Sequence, residues 1–368
     1  MSKGIVRMDM SLFIALLLML GFGLVLVYSS SFALAEVRFG GSEFFFARQM
    51  VRALLALAGF LVFINVDYHI WGKVSNLAYV IAAVLLLLVL GTEKVNGARR
   101  WLNLWFFSFQ VSDFARMAVI LFVARHVEQA GTAVREIPVY FRLVGMIVFP
   151  CFLIMLEPGF STSAIIGLIA VTMLFIGGAK LTHMLLMFGA GIPLAIFAAI
   201  RMPHSLLRLI AFIQAIFNRN DNLDVFGYQV RQSLIGLGNG GLFGVGIGKG
   251  EQKFFYLPEP HTDFVISILG EEIGFVGLLT VAVVFAFIIY RGMKIAAQAP
   301  DRSGQLMAFG FTFTIAVYAL FHAAVAVGLL PTTGVPLPFI SYGGSALITN
   351  MIMIGLLLNI SRISDLEG

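Results

Sequence analysis

Hydrophobic positions come in long runs rather than in alternation. Apolar stretches of about twenty residues, enough to cross a bilayer as helix, recur along the chain. They lie near residues 11-31, 50-66, 74-91, 113-129, 141-157, 161-178, 181-200, 263-290, 306-329 and 339-361. The pattern predicts an all-α polytopic membrane protein with ten transmembrane helices, folded as a single membrane domain over 1-368. Residues 201-262 break the pattern. They are too polar to span and too long for a simple connection, so they are expected as a large loop between helices 7 and 8. Within it, Leu206, Leu209, Ile210 and Ile213 fall at helical spacing among Arg201 and Arg208, which suits a helix in the membrane interface. Residues 218-222 read as a turn. Gly236 to Gly250 holds eight glycines and is not expected to form regular helix.

Composition agrees. Of 368 residues, 60% are hydrophobic and only 12% charged, about half the charged share of a soluble domain. In such a chain Lys and Arg report topology, so the net charge of +5 does not point to nucleic acid; the expected surroundings are membrane lipids. Ten spans put both termini on one side. With the ends in the cytoplasm, Lys3, Arg7, Lys73, Arg125, Arg135, Arg142, Lys180, Arg291, Lys294, Arg302 and Arg362 lie inside. Arg38, Arg48, Arg52, Lys94, Arg99 and Arg100 lie in short outer loops. This bias favours N-in/C-in and makes the large loop extracytoplasmic. Lys3 and Arg7 precede an apolar run ending near Ala33-Leu34-Ala35, as in a signal peptide. The run is longer than a signal core, so it is expected as a retained first helix. The single Cys151 allows no intrachain disulfide and reads as packing. His69, His126, His183, His204 and His322 show no ligand spacing, so no metal site is expected from them.

The candidate chemistry gathers after Gly227. Gly244-Val245-Gly246-Ile247-Gly248-Lys249-Gly250 resembles a nucleotide loop but has Phe243 and Gly250 where a P-loop needs Gly and Ser or Thr. Leu257 to Phe264 is the sharpest element: Pro258 and Pro260 impose an extended approach, and Asp263 is expected in the first turn of span eight, near the positive end of the helix dipole. Lys249, Lys253, Glu259 and His261 add an anion-binding and acid-base set. Ser267, Gly270, Gly274 and Gly277 share the face of Asp263; such a face permits close helix approach or leaves a groove beside the carboxylate. Glu271 and Glu272 lie deeper in the span and need partners or a function. Arg100 follows span three on the outer side. Arg116 lies inside span four and needs a buried carboxylate, Glu157 first and Glu272 second. Pro331 to Ser345 makes a non-helical entry to span ten, a backbone tolerated only inside protein or against a cavity.

Gly227-Tyr228-Gln229, Gln232 to Gly238, Gly240 to Gly248, Gln252 to Glu259, His261 to Phe264, Gly270 to Gly277, Gly328 to Gly334 and Pro336 to Ser345 occur together in one order and spacing. In this the whole chain resembles the SEDS family of bacterial shape, elongation, division and sporulation proteins, the FtsW/RodA/SpoVE type. The resemblance implies ten helices with cytoplasmic ends in the bacterial cytoplasmic membrane. It also implies a peptidoglycan glycosyltransferase that polymerises lipid II on the outer side, working with a class B penicillin-binding transpeptidase. The family's catalytic aspartate falls on Asp263. Arg100, Arg116, Lys249 and Lys253 become candidate diphosphate contacts, with Glu259 and His261 as further substrate contacts. No cofactor is certain from the resemblance, and a divalent cation held by Asp263 is an alternative to a basic role. The chain departs from the family pattern at Gln110-Val111-Ser112-Asp113 with Arg116, where Gln-Pro-Ser-Glu and a lysine are usual. It departs again at Glu157-Pro158-Gly159, which lacks a usual aspartate. The division and elongation branches are not separated. Two rivals stand beside the enzyme: a flippase using Arg116, Glu157, Glu271 and Glu272 as a polar path, and a non-catalytic scaffold for a transpeptidase.

Overall fold

The computed structural model describes residues 8–93, 99–104, 107–187, 189, 191 and 225–367. α1 (Met10–Phe39) begins where the Asp9 side chain accepts from Leu12 N–H and ends at Gly40, whose left-handed φ of 68° stops it. α2 (Phe44–Asn65) returns, a short α3 (Tyr68–Lys73) starts on an Asp67 cap, and α4 (Ser75–Val89) follows. Next come α5 (Val111–Ala130), α6 (Ile137–Leu156) and α7 (Phe160–Ile176). α8 (Val225–Gly240) falls within the stretch 201–262 expected as a loop. α9 (Val265–Gln298), α10 (Arg302–Ala326) and α11 (Gly344–Glu367) complete the chain.

The protein is a multi-pass, mostly helical membrane protein. Among the described residues six helices have the length and hydropathy to cross a bilayer: α1, α2, α6, α9, α10 and α11. α4 and α7 are apolar but shorter. α5 is as long as α6 but carries Asp113, Arg116, Arg125 and Glu128, and it is enclosed by its neighbours. α2 lies along α11, α4 along α5, and α9 along α10. The outer helices show Leu18, Leu54, Leu88 and Val283 to the surroundings, as expected where the solvent is lipid.

Four expectations need correction. The fold is not purely α: β1 (Trp101–Leu104) and β2 (Phe107–Gln110) pair antiparallel, Trp101 opposite Gln110. The Phe-Ser-Phe-Gln alternation has strand period, which a search for apolar runs passes over. Helix continues through Gly236 to Gly240, so only the part after Gly240 behaves as the glycine count suggested. Asp263 does not sit in the first turn of α9, which starts at Val265 with Phe264 as its cap. Span ten begins at Gly344, because its proline-rich entry stays non-helical. Of span seven, residues 181–187 are described as helix. The rest of span seven, the interfacial helix at 202–214 and the turn at 218–222 lie outside the described residues.

The decisive packing is α8 against α9. A Cβ on Gly240 would overlap the Gly270 carbonyl, and one on Gly274 would overlap Gly244 N. The small-residue face of α9 is therefore filled by α8 and its continuation from Ser267 to Gly274, and is not a groove for a ligand there. α9 itself breaks at Gly274, where φ 74° and ψ −169° lie in a region that glycine alone enters readily. Backbone bonds cross the break: Val245 and Gly246 N–H donate to the carbonyls of Glu271 and Glu272 (2.9 Å each), and Phe275 N–H donates to Gly241 O (2.9 Å).

Gly240→Leu should stop α8 from docking and lower the melting temperature of the detergent-purified protein, since forced overpacking costs about 1–3 kcal/mol. Gly238→Ala, with open space around its Cβ, should leave melting unchanged or slightly raised. Equal melting of the two variants would refute the backbone-to-backbone contact.

Candidate active site

The segment 257–264 is anchored from below and clamped from above. Leu257, Phe264 and Ile268 bury against Val325, with Leu330 beside them, in a small hydrophobic cluster of their own. Glu259, at φ 49°, turns the chain so that its carbonyl accepts from both Thr262 and Asp263 N–H (3.2 Å each). The loop before α11 then fixes the turn. Tyr342 N–H donates to His261 O (2.9 Å) and Ser341 Oγ to Thr262 O (2.8 Å), while Ser341 Oγ accepts from Leu337 N–H (2.9 Å). The two carbonyls preceding Asp263 are thus held by residues nearly eighty positions later. Asp263 itself is half-buried. Gly334, at φ 67°, faces it: a Cβ there would lie 3.7 Å from Asp263 Oδ2. Gly334 therefore brings bare backbone to this side of the carboxylate.

His261 and Glu259 share this turn with Asp263. The imidazole is buried between Phe45 (4.6 Å) and Tyr342 (5.2 Å), with Nε2 3.9 Å from Glu259 Oε2. Burial, reinforced by the nearby Arg38 charge, pushes its pKa down to about 4. At neutral pH the ring carries no charge, so it offers a hydrogen bond rather than a cation to an anionic substrate. Glu259 is exposed.

The expected cations are placed differently from one another. Lys249 is exposed on a turn closed by its own N–H donating to Gly246 O (3.0 Å), and it stays available to an anion. Lys253 does not. Its Nζ is buried 2.5 Å from Glu272 Oε1, and Ser29 Oγ donates to the same carboxylate (2.6 Å). The neighbouring Glu271 accepts from Glu251 and Gln252 N–H (3.0 and 3.1 Å). Both glutamates of the span are therefore structural partners of the loop, and the ammonium of Lys253, expected as a diphosphate contact, is paired with Glu272. Arg100 Nε donates to Glu157 O (2.8 Å) and its Nη2 to Pro158 O, which ties the β-hairpin to the end of α6.

Arg116 is fully buried, as an intramembrane cation should be, but neither expected carboxylate is its partner. It lies 3.7 Å from Asp113, one turn earlier on α5, donates to Asn350 Oδ1 (2.9 Å) and stacks on Tyr318 (4.2 Å). Its Nε and Nη1, and both Glu157 carboxylate oxygens, lack hydrogen-bond partners among the described residues. These buried polar atoms mark the interior beside α5 as a place for water or a polar ligand.

Arg52 was read only as a topology charge, yet it belongs here. Its guanidinium stacks 4.5 Å over the Tyr342 ring that also packs His261, and Gln49 donates to Ser341 O (3.4 Å). The signal was present in the sequence: Gln49 and Arg52, three apart, share one face of a helix. Among the described residues no group of three acidic, His or Cys side chains converges to hold a metal ion.

A family model described as cell cycle protein, FTSW_RODA_SPOVE, matches residues 9–366. Stage V sporulation protein E of Bacillus subtilis is 38% identical over 360 residues, covering 97% of each chain. A probable peptidoglycan glycosyltransferase FtsW of Trichlorobacter lovleyi is 36% identical over 368 residues, covering 98% of this chain and 95% of its own. In fold, the chain is similar to the rod shape determining protein RodA of Thermus thermophilus, with TM-score 0.70 and 24% identity over 97% of each chain. It is also similar to a chain in a structure of a peptidoglycan synthase complex, with TM-score 0.79 and 24% identity over 97% of this chain and 98% of that one.

Lys253→Met should strand the Glu272 carboxylate in the interior and destabilise the protein by about 3–5 kcal/mol. Lys253→Met combined with Glu272→Gln should regain much of that loss. Thermal unfolding of the purified single and double variants reads the coupling directly. A stable, inactive Lys253→Met protein would instead make Lys253 a substrate contact.

Proposed function

The chain belongs to the FtsW/RodA/SpoVE family of cell cycle proteins, and from that premise we propose that it is a peptidoglycan glycosyltransferase that polymerises lipid II at the outer face of the bacterial cytoplasmic membrane. The observation that carries the site is the half-buried Asp263 carboxylate on a clamped turn, faced by the bare backbone of Gly334. A glycan 4-hydroxyl attacks the anomeric carbon of a second lipid-linked sugar. The new C–O bond forms as the bond to the polyprenyl diphosphate breaks. Asp263 takes the hydroxyl proton, and the pair of electrons leaves with the diphosphate. A fixed carboxylate suits this role because its geometry needs no rearrangement as the reaction proceeds. Lys249, Arg52 and the buried Arg116 are the cations best placed to receive a diphosphate, with Arg100 shaping the outer loop beside Glu157. A divalent cation bound at Asp263 would supply charge stabilisation instead of a base; Asp263 would be its one carboxylate from this turn apart from the exposed Glu259. A flippase path loses support from Glu271 and Glu272, whose carboxylates are engaged by the loop and Lys253.

We further infer ten crossings with both ends in the cytoplasm, a single membrane domain, and a class B penicillin-binding transpeptidase as partner. The ends of the bundle support this sidedness. Asp9 pairs with Arg291 and Tyr68 bonds Asp301 at one end. Arg52, His261, Tyr342 and the Arg100–Glu157 contact gather at the other. In a Cys151→Ser background, Lys249→Cys should react with an impermeant thiol reagent on intact cells, and Arg135→Cys only after permeabilisation. The reverse pattern would place the site on the wrong side for lipid-linked substrate.

Asp263→Asn keeps the size of the side chain and removes the proton acceptor and the charge. Glycan formation from lipid II by this variant, purified with its transpeptidase, should fall about 10²–10⁴-fold, while melting and partner binding stay as in the parent. Near-normal polymer would remove both the base and the metal-holding role from Asp263 and shift attention to Glu259.

A further inference from the structure

One buried polar group is used by nothing described so far. His322, one turn from the end of α10, is 1% exposed. Its Nδ1 lies 2.8 Å from Val335 O, and its Nε2 has no partner among the described residues. A carbonyl only accepts, so the proton sits on Nδ1 and the ring donates to the loop. Burying an imidazole with one nitrogen unsatisfied is unfavourable, and an apolar side chain would fill the same space more cheaply. What the imidazole adds is a fixed point for residue 335. The preceding residue is Gly334, the one whose backbone faces Asp263 Oδ2. The held carbonyl belongs to the Val335–Pro336 peptide, and only the φ and ψ of Val335 separate it from the peptide that Gly334 shares, so fixing it restrains the backbone beside Gly334. On the far side, Ser341 and Tyr342 of the same loop grip the carbonyls of Thr262 and His261.

We propose that His322 is a positioning residue for Asp263: by donating to Val335 it sets the wall of the site at Gly334, and with it the orientation and access of the carboxylate. The assignment rests on the reading of Asp263 as the reacting group. His322 does not touch substrate. It acts through the 331–344 loop, as a far-end support for a carboxylate that α9 alone would leave on a free turn.

The experiment compares His322→Leu, which keeps volume and loses the donor, with His322→Asn, whose amide N–H lies where Nδ1 does. Each is purified with the transpeptidase and assayed per folded complex. His322→Leu should lower kcat for lipid II polymerisation about ten- to hundredfold, the scale of a small misplacement of a reacting group, with KM within about twofold. His322→Asn should recover kcat to within about threefold of the parent. A purely structural role would reduce the yield of folded His322→Leu and leave its kcat per molecule unchanged, which would overturn the proposal. So would His322→Asn as impaired as His322→Leu. A second readout does not depend on catalysis. With Cys151→Ser and Asp263→Cys, the rate of alkylation at position 263 should change at least fivefold when His322→Leu is added and return with His322→Asn. Asp263→Asn is assayed in parallel. If that variant polymerises, Asp263 is not the reacting group, and the alkylation rates alone decide whether His322 sets the geometry at 263; an unchanged rate refutes it. If Asp263→Asn is inactive while both His322 variants are normal in kcat and alkylation, only the role of His322 falls.

Discussion

Two adjacent carboxylates inside an apolar helix govern how the half of this protein around Asp263 is built. Glu271 and Glu272 are buried, and in a membrane interior such groups are costly unless each is supplied with donors. The donors come from the segment that follows the glycine-rich stretch, which gives two backbone N–H groups to Glu271 and the ammonium of Lys253 to Glu272, and from Ser29 of α1, which also donates to Glu272. Supplying them requires the stretch to lie directly on α9, which only glycine at 240, 244 and 274 permits. The polar requirement and the small residues are therefore one constraint seen from two sides. The loop that follows, from Leu257 to Phe264, inherits a fixed starting point, and the turn bearing Asp263 can be rigid.

Much of this was legible along the chain. Runs of apolar residues announced the helices, Pro258 and Pro260 the extended approach, and the prolines after Pro331 the non-helical entry to α11. Those are local rules, set by sterics and hydropathy at the residue itself. Partner choice was not legible. Arg116 looked as though it needed Glu157, because both were isolated charges in apolar runs; the fold gave it Asp113 on its own helix, together with an amide and an aromatic ring. Lys253 reads as an anion contact because it sits in a polar stretch, and whether a lysine there is exposed or buried depends on a carboxylate nineteen residues away. Arg52 shows the opposite failure: counted as a topology charge, it stacks against the ring that supports the site. Its role depends on Tyr342, far along the sequence.

The site is thus assembled from segments of very different sequence position, yet few bonds join them. Ser341 alone links three places, accepting from Leu337 and Gln49 through its side chain and backbone oxygens and donating to the turn of Asp263. A hydroxyl that both donates and accepts can serve two strands of chain at once, which a purely apolar contact cannot do with direction. Directional bonds at the top and apolar burial at the bottom divide the work: the cluster around Leu257 holds the turn's depth, and the loop before α11 holds its orientation.

The break at Gly274 has a mechanical side. An unbroken helix is a stiff rod, so tilting its lower end swings its upper end through an arc set by its whole length. α9 is two rods with a joint between them, and the upper one is lashed to α8 rather than to the lower one's axis. When the lower rod leans with its neighbours, as membranes of changing thickness and tension demand of any spanning helix, the lever arm ends at the joint. The carboxylate above it moves with α8 and the loops packed on it, and the bilayer can flex beneath a site that keeps its shape.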